Sequence, residues 1–228
     1  MGKYTYILLL LFSIAYPLAQ SFEWRLSLWK QWRFMFPAFL LTAALFIGWD
    51  IYFAYADIWG FNPDFVLGIW LFKLPLEEWL FFIVVPYACY FIFAVINYYF
   101  PRVYRHKLVL PLHWLLVLSL LLVGIVSFER TYTAVAFLLA ALVLAIIGVK
   151  NSLSVHLPRY YTIYFVSLIP FLIINGVLTA LPVVYYNNHE NLGMRLLTIP
   201  VEDTIYLLSL LFINFALIDT LKARWKND

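Results

Sequence analysis

Two stretches of this chain place acids where acids are costly. Leu74-Pro75-Leu76-Glu77-Glu78-Trp79 sets two adjacent carboxylates directly behind a proline, at the head of a long apolar run, and Ile199-Pro200-Val201-Glu202-Asp203-Thr204 does the same. A charged side chain near the centre of a membrane helix costs about 2.5–3.5 kcal/mol on insertion scales, so a pair that occurs twice needs a reason. A plain helix start accounts for part of it, since proline suits the first helical position and a carboxylate in the first turn complements the helix dipole. That reading leaves unexplained the doubling of the acids, its recurrence, and a third acid, Asp50, inside the preceding apolar run with Asn175 as its counterpart. Acids crowded together in an apolar medium cannot all ionise, because desolvation and like-charge repulsion both oppose it. A carboxylic acid kept neutral in a dry site is a proton donor, and an ionised neighbour is a base. Glu77, Glu78, Glu202, Asp203 and Asp50 are therefore the candidate catalytic residues.

The two motifs stand in one register, 125 residues apart, and the register extends backwards without a gap. Asn62 falls on Asn187, Leu67 on Leu192, Gly68 on Gly193, Leu71 on Leu196, Asp50 on Asn175 and Phe46 on Phe171. The pattern Asn-x4-Leu-Gly-x2-Leu-x3-Pro-x-Glu-[Glu/Asp] thus occurs twice, the mark of an internal duplication. Two such copies are expected to pack around one pseudo-symmetric site.

Aromatic residues crowd the first motif: Trp49, Tyr52, Phe53, Tyr55, Trp59, Phe61, Trp70, Phe72, Trp79, Phe81 and Phe82, with Tyr185, Tyr186 and Tyr206 near the second. An interfacial aromatic belt accounts for about half of them. The others suit a cavity that excludes water and whose ring faces stabilise a developing cation. Trp49, Tyr52, Trp79 and Tyr206 are the candidate substrate contacts, together with Asn175 and the paired Asn62 and Asn187. These last two read more naturally as turn residues.

Other chemistries fall away. No Gly-x-Gly-x-x-Gly follows a strand, so no dinucleotide or flavin is expected. His106, His113, His156 and His189 are scattered, without metal-ligand spacing, and read as surface or interface residues. Cys89, alone in an apolar run, reads as packing. The expected last span holds no lysine, which removes a retinal Schiff base there.

The elements that position these residues follow from composition. Of 228 residues 65% are apolar and only 12% charged, and the apolar ones come in blocks. Blocks of roughly 18 or more cross a bilayer core as helices, and the strand-like alternation of a membrane barrel is absent. The chain is therefore expected to be an all-α integral membrane protein with about seven transmembrane helices, near 4–20, 34–56, 75–99, 109–127, 131–149, 160–183 and 199–219. The register lays spans one to three on five to seven and leaves the fourth as a connector, giving a first repeat at 1–100, a connector at 101–127 and a second repeat at 128–228. Span one also has features of a secretory signal with a small-residue cleavage site before Ser21, but its place in the repeat favours keeping it in the fold. The segment 65–74 is too apolar for an aqueous loop and is expected to be re-entrant or a broken helix lining a cavity.

Orientation follows from the basic residues. With the N-terminus outside, the inner loops hold Arg25, Lys30, Arg33, Arg102, Arg105, Lys107, Lys150, Arg159, Lys222, Arg224 and Lys226, against Lys3, Lys73, Arg130 and Arg195 outside. This positive-inside bias puts the C-terminus in the cytoplasm, and it explains the net charge of +3 without any nucleic-acid partner. An even step of four helices makes the repeats run in the same sense, so both acidic motifs lie at one depth, in the outer half.

The paired Pro75-Leu76-Glu77-Glu78 and Pro200-Val201-Glu202-Asp203, with Phe61-Asn62-Pro63 and Trp49-Asp50 ahead of the first, resemble the small integral-membrane lycopene cyclases. These occur as two short subunits in some bacteria and as one fused chain elsewhere, including the fungal bifunctional enzymes. The resemblance covers nearly the whole length and matches the fused form, with a c-like half ending near Tyr99 and a d-like half from about Val109. It implies a cofactor-independent, redox-neutral isomerase in carotenoid biosynthesis that closes the linear ends of lycopene into β-ionone rings, giving γ-carotene and β-carotene in a bacterial-type cytoplasmic membrane. A proton would be delivered to C2, with Glu78 or Glu77 the favoured donor and Asp50 orienting it or relaying its proton. Amides at Glu78 or Glu202 are expected to stop the reaction. The alternatives are an ε- or γ-ring or C50 carotenoid cyclase, and a membrane protein whose acids form a proton or ion path.

Overall fold

Each apolar block becomes a helix, because a segment in lipid has to satisfy its own backbone polar groups. The computed structural model describes residues 2–100 and 108–225; Arg102, Arg105, His106, Lys107 and Lys226 lie outside them. The helices are α1 (Thr5–Gln20), α2 (Trp32–Tyr55), α3 (Leu76–Tyr99), α4 (Val109–Val126), α5 (Thr131–Val149), a single turn α6 (Asn151–Ser154), α7 (Leu157–Ala180) and α8 (Val201–Trp225). The molecule is an all-α integral membrane protein. Among the described residues, six helices are long and apolar enough to cross a bilayer. The expected first span, α1, is apolar but has 16 residues, about 24 Å of helix against a hydrocarbon core of about 30 Å.

The duplication is visible in three dimensions. Helix α2 and helix α7 begin 125 residues apart, and so do α3 and α8. Between them, in both copies, lie a short strand and a two-stranded ribbon. The first copy has β1 (Trp59–Phe61) and the pair β2 (Trp70–Leu71) with β3 (Leu74–Pro75). The second has β4 (Val184–Tyr186) and the pair β5 (Arg195–Leu196) with β6 (Ile199–Pro200). Strands β1 and β4 pair antiparallel in the register Trp59 to Tyr186, Gly60 to Tyr185 and Phe61 to Val184. Gly60 and Tyr185 are themselves repeat equivalents, so a pseudo-two-fold axis passes between them. The flanking hydrogen bonds obey it: Asn62 N–H donates to Val183 O at 2.9 Å, and its equivalent Asn187 N–H donates to Ile58 O at 2.9 Å.

The copies interlock rather than sit side by side. Within each, the first helix packs on the last, α1 on α3 and α5 on α8; across the axis α2 packs on α8 and α7 on α3. Helix α4 has no copy and lies along α5, held by His113, which bonds Tyr161 Oη at 2.7 Å and Leu144 O at 3.1 Å. His113 is thus buried inside the helix packing rather than at the surface.

Two expectations need correction. The segment 65–74 is not a broken helix: a 3₁₀ turn at Pro63–Phe65 leads into the β2–β3 hairpin. Its apolar character divides between buried Val66 and Leu74 and an exposed tip at Phe72. Phe72 and Lys73 both have positive φ, at 53° and 64°, the handedness that a two-residue hairpin turn requires and that these residue types adopt only at a cost. Helix α8 also runs past the expected end at 219 and takes in Lys222, whose Nζ donates to Gln31 Oε1 and Tyr90 Oη. Lys222 belongs to the basic end of the bundle, where Arg25, Arg33 and Arg159 line one cleft and Arg159 pairs with Asp219. Lys3, Lys73, Arg130 and Arg195 stand at the other end, beside the hairpins; Arg130 donates to Asn191 O and Arg195 to Asn188 Oδ1.

Candidate functional site

The two Pro-x-acid-acid motifs start α3 and α8 from the same end of the bundle, where β1 and β4 meet. Consecutive residues on a helix point about 100° apart, so each pair of adjacent acids divides its labour. The first member turns back to the preceding loop. Glu77 Oε1 accepts from Leu67 N–H at 2.7 Å, and Glu202 Oε1 accepts from Leu192 N–H at the same distance. These are repeat equivalents in acid and loop alike, so Glu77 and Glu202 fasten the segments that lead into the hairpins. Thr133 Oγ1 adds a second donor to Glu202 at 2.7 Å, whereas the second oxygen of both acids is buried without a hydrogen-bond partner.

The second member of each pair faces the interior. Glu78 and Asp203 line one small cavity of about 50 Å³, with Tyr6, Trp59, Phe61, Tyr132, Asn175, Tyr186 and Tyr206 in its wall. Glu78 Oε2 accepts from Tyr6 Oη–H at 2.6 Å. Asp203 Oδ1 accepts from Tyr132 Oη–H at 2.6 Å, and its Oδ2 accepts from Asn175 Nδ2 at 2.7 Å and from Tyr186 Oη–H at 2.8 Å. The cavity is thus composite, with Glu78 from the first repeat and Asp203 from the second. The two acids differ in support, one donor against three. Burial and the adjoining Asp203 carboxylate push the Tyr186 phenol above its ordinary range, which keeps it a proton-bearing donor.

Aromatic faces enclose the acids. The Trp59 ring centroid lies 5.1 Å from Tyr132, 6.0 Å from Tyr206 and 6.2 Å from Tyr186, and Tyr186 stacks on Tyr132 at 5.9 Å. Asp50, fully buried, receives Tyr206 Oη–H on both oxygens at 3.0 Å. It stands behind Tyr206 rather than in the cavity wall. The arrangement brings two buried acids together among phenol donors and ring faces, the groups that proton transfer beside a cation would need.

Of the other residues singled out in the sequence, Asn175 and Tyr206 are in the wall. Trp49 packs against Phe46 at 4.4 Å and Tyr206 at 6.0 Å, one layer behind. Tyr52 is 60% exposed on the outer face of α2, and Trp79 lies over Phe72 at 6.5 Å, at the hairpin. Asn62 and Asn187 close turns: each side-chain oxygen accepts from the backbone N–H two residues on, at Asp64 and His189.

Sequence reasoning missed Tyr6, Tyr132 and Thr133. Tyr6 and Tyr132 do the same thing for Glu78 and Asp203, yet stand 126 residues apart instead of 125. One extra residue in the first copy, between α1 and α2, takes them out of the gapless register, which laid span one on 129–145. Allowing one gap, and seeking hydroxyls near the starts of the two first helices, would have found the pair.

Comparison with known proteins points the same way as the geometry. A family model described as "Lycopene cyclase" matches residues 3–96 and 129–221, one segment for each repeat and omitting α4. A "Bifunctional lycopene cyclase/phytoene synthase" of Colletotrichum graminicola is 36% identical over 61 residues, a stretch covering 26% of this chain and 10% of that protein. No solved structure matches. With most of its length matched as two copies of one unit, the chain belongs to the lycopene cyclase family.

Proposed function

We propose that the chain is a lycopene β-cyclase, with Glu78 as the proton donor and Asp203 as the base. The observation that carries this reading is the composite cavity in which these two acids, one from each repeat, share a wall of aromatic rings. An ionised carboxylate only accepts hydrogen bonds, whereas a protonated one has an O–H to give. Asp203, with three donors aimed at it, suits the ionised role; Glu78, with one donor, suits the acid.

Protonated Glu78 adds H⁺ to C2 of a linear end, leaving a tertiary cation at C1. The C5–C6 double bond attacks it, the C1–C6 bond closes the ring, and the charge moves to C5. Asp203 removes the proton from C6, and the C5–C6 double bond is restored within a β-ionone ring. One proton is gained and one lost, so the product is an isomer and no electron acceptor is needed. Trp59 and Tyr206 present ring faces to the cation, an interaction worth up to about 2 kcal/mol when desolvated, and exclusion of water prevents its capture as an alcohol. Where the base stands decides which proton leaves, and so decides the ring type.

The substrate class agrees with the surroundings. A forty-carbon polyene without polar groups lives in the bilayer, and the site belongs to a protein with six bilayer-length apolar helices. The two-ended distribution of basic residues supports a cytoplasmic-membrane protein of bacterial type with the N-terminus outside. The test is turnover in D₂O: purified protein in liposomes, given lycopene, should yield rings carrying one deuterium each at C2, with no other change in mass. Cyclised product without deuterium would refute a solvent-exchangeable acid as donor.

A further inference from the structure

Beside the acid cavity lies a second, larger space. A groove of about 470 Å³ runs between α1, α3 and α7, walled almost wholly by apolar atoms and open towards the lipid, with Phe12 and Tyr16 at its exposed margin. Four residues, Phe81, Phe171, Asn175 and Leu178, line both this groove and the acid cavity, so the two adjoin across these side chains. Pockets of about 300–1,000 Å³ with mostly apolar walls and a few convergent polar groups are the common form of a small-molecule site. Here Asn175 is the polar residue shared with the acid cavity, and Ser13, Tyr16 and Ser167 are the hydroxyl-bearing residues of the lining.

The pseudo-two-fold axis makes this groove informative, because its equivalent, bounded by α5, α8 and α2, is filled. Ile174 of the groove corresponds to Trp49, Phe81 to Tyr206 and Leu178 to Phe53. Trp49 and Tyr206 pack with Phe46 at ring centroid distances of 4.4 and 4.9 Å, and Tyr206 is held there by its bonds to Asp50. Phe46 is wholly buried, whereas its equivalent Phe171 is only partly so. Asp50, which the repeat would make a second polar lip, is sealed behind these rings.

Resting on the cyclase reading, we propose that the α1–α3–α7 groove seats the reacting end of the polyene, which enters sideways from the bilayer, and that Trp49 and Tyr206 close the equivalent position. Each chain then has a single ring-closing site. The two ends of a symmetric substrate are presented in turn, and the one-ringed product leaves before the second closure.

The test measures bound lycopene per chain, independently of turnover, in protein purified from a lycopene-accumulating bacterium. The Glu78→Gln form is the reference, expected to hold about one lycopene per chain. Adding Ile174→Trp gives the groove the residue that the other repeat already carries, so the substitution suits the fold. It should leave at least about tenfold less pigment, as should Ala88→Trp in the groove wall. Leu118→Trp on the lipid face of α4 should leave the reference level. Full pigment with both groove variants, no pigment in the reference, or two lycopenes per chain would overturn the proposal. Wild-type protein that binds lycopene through this groove but leaves it linear would instead refute the cyclase reading alone, and full conversion by the Ile174→Trp protein would refute the groove alone.

Discussion

At the scale of single residues, adjacent acids that look interchangeable in the sequence have different work. Glu77 and Glu202 each hold a loop by one oxygen, whereas Glu78 and Asp203 face the cavity. The recurrence of the pair singled these acids out in the sequence; it could not separate first from second, since that depends on which way a helix is turned against its neighbours. Substitution by amides separates them. Glu78→Gln keeps the shape and the contact with Tyr6 but has no acidic proton, and is expected to lower cyclisation by about 10²-fold or more. Glu77→Gln and Glu202→Gln keep an oxygen for the Leu67 and Leu192 N–H groups and are expected to retain activity within a few-fold. The corresponding alanines release the loops and should lose both activity and thermal stability. Carotenoid yields normalised to membrane-inserted protein decide it: inactivity of Glu202→Gln with unchanged stability would give that acid the proton-transfer role that sequence alone allowed it.

At the scale of elements, the apolar blocks located nearly every helix, because length and hydrophobicity in a bilayer leave few other solutions. The polar segments were harder. The hairpin β2–β3 is built from residues as apolar as those of a helix, and only its pairing, Trp70 with Pro75 and Leu71 with Leu74, distinguishes it. The pairing of β1 with β4 joins residues more than a hundred positions apart and leaves no local trace. Helix α4 shows what the repeat does not need. It packs on α5 through Gly124, where a Cβ would stand 2.7 Å from Leu138 Cγ and 3.2 Å from the Leu138 backbone nitrogen. Gly124→Ala is expected to destabilise the detergent-solubilised protein by about 1–3 kcal/mol through overpacking, lowering its melting temperature while cyclisation in membranes persists. An unchanged melting temperature would mean that α4 is not tightly docked.

At the scale of the whole molecule, the duplication is what the sequence displayed best and what the structure uses most. Glu78 comes from one copy and Asp203, with Tyr132, Asn175 and Tyr186, from the other, and the copies hold each other through α2 on α8 and α3 on α7. Two chains, 1–100 and 101–228, are therefore expected to restore cyclisation when produced together and to show none when produced alone. Activity of either part by itself would contradict a composite site. What the sequence hid at this scale is the loss of symmetry: Trp49 against Ile174 and Tyr206 against Phe81 are ordinary apolar exchanges until their rings are seen packed on Phe46. The most direct test of the central claim is the pigment content of a lycopene-accumulating bacterium producing this chain, resolved by chromatography and absorption spectra beside a Glu78→Gln control. The expected result is β-carotene with γ-carotene as a free one-ringed intermediate, and unchanged lycopene in the control; lycopene left unchanged by wild-type protein that is present in the membrane would contradict the account.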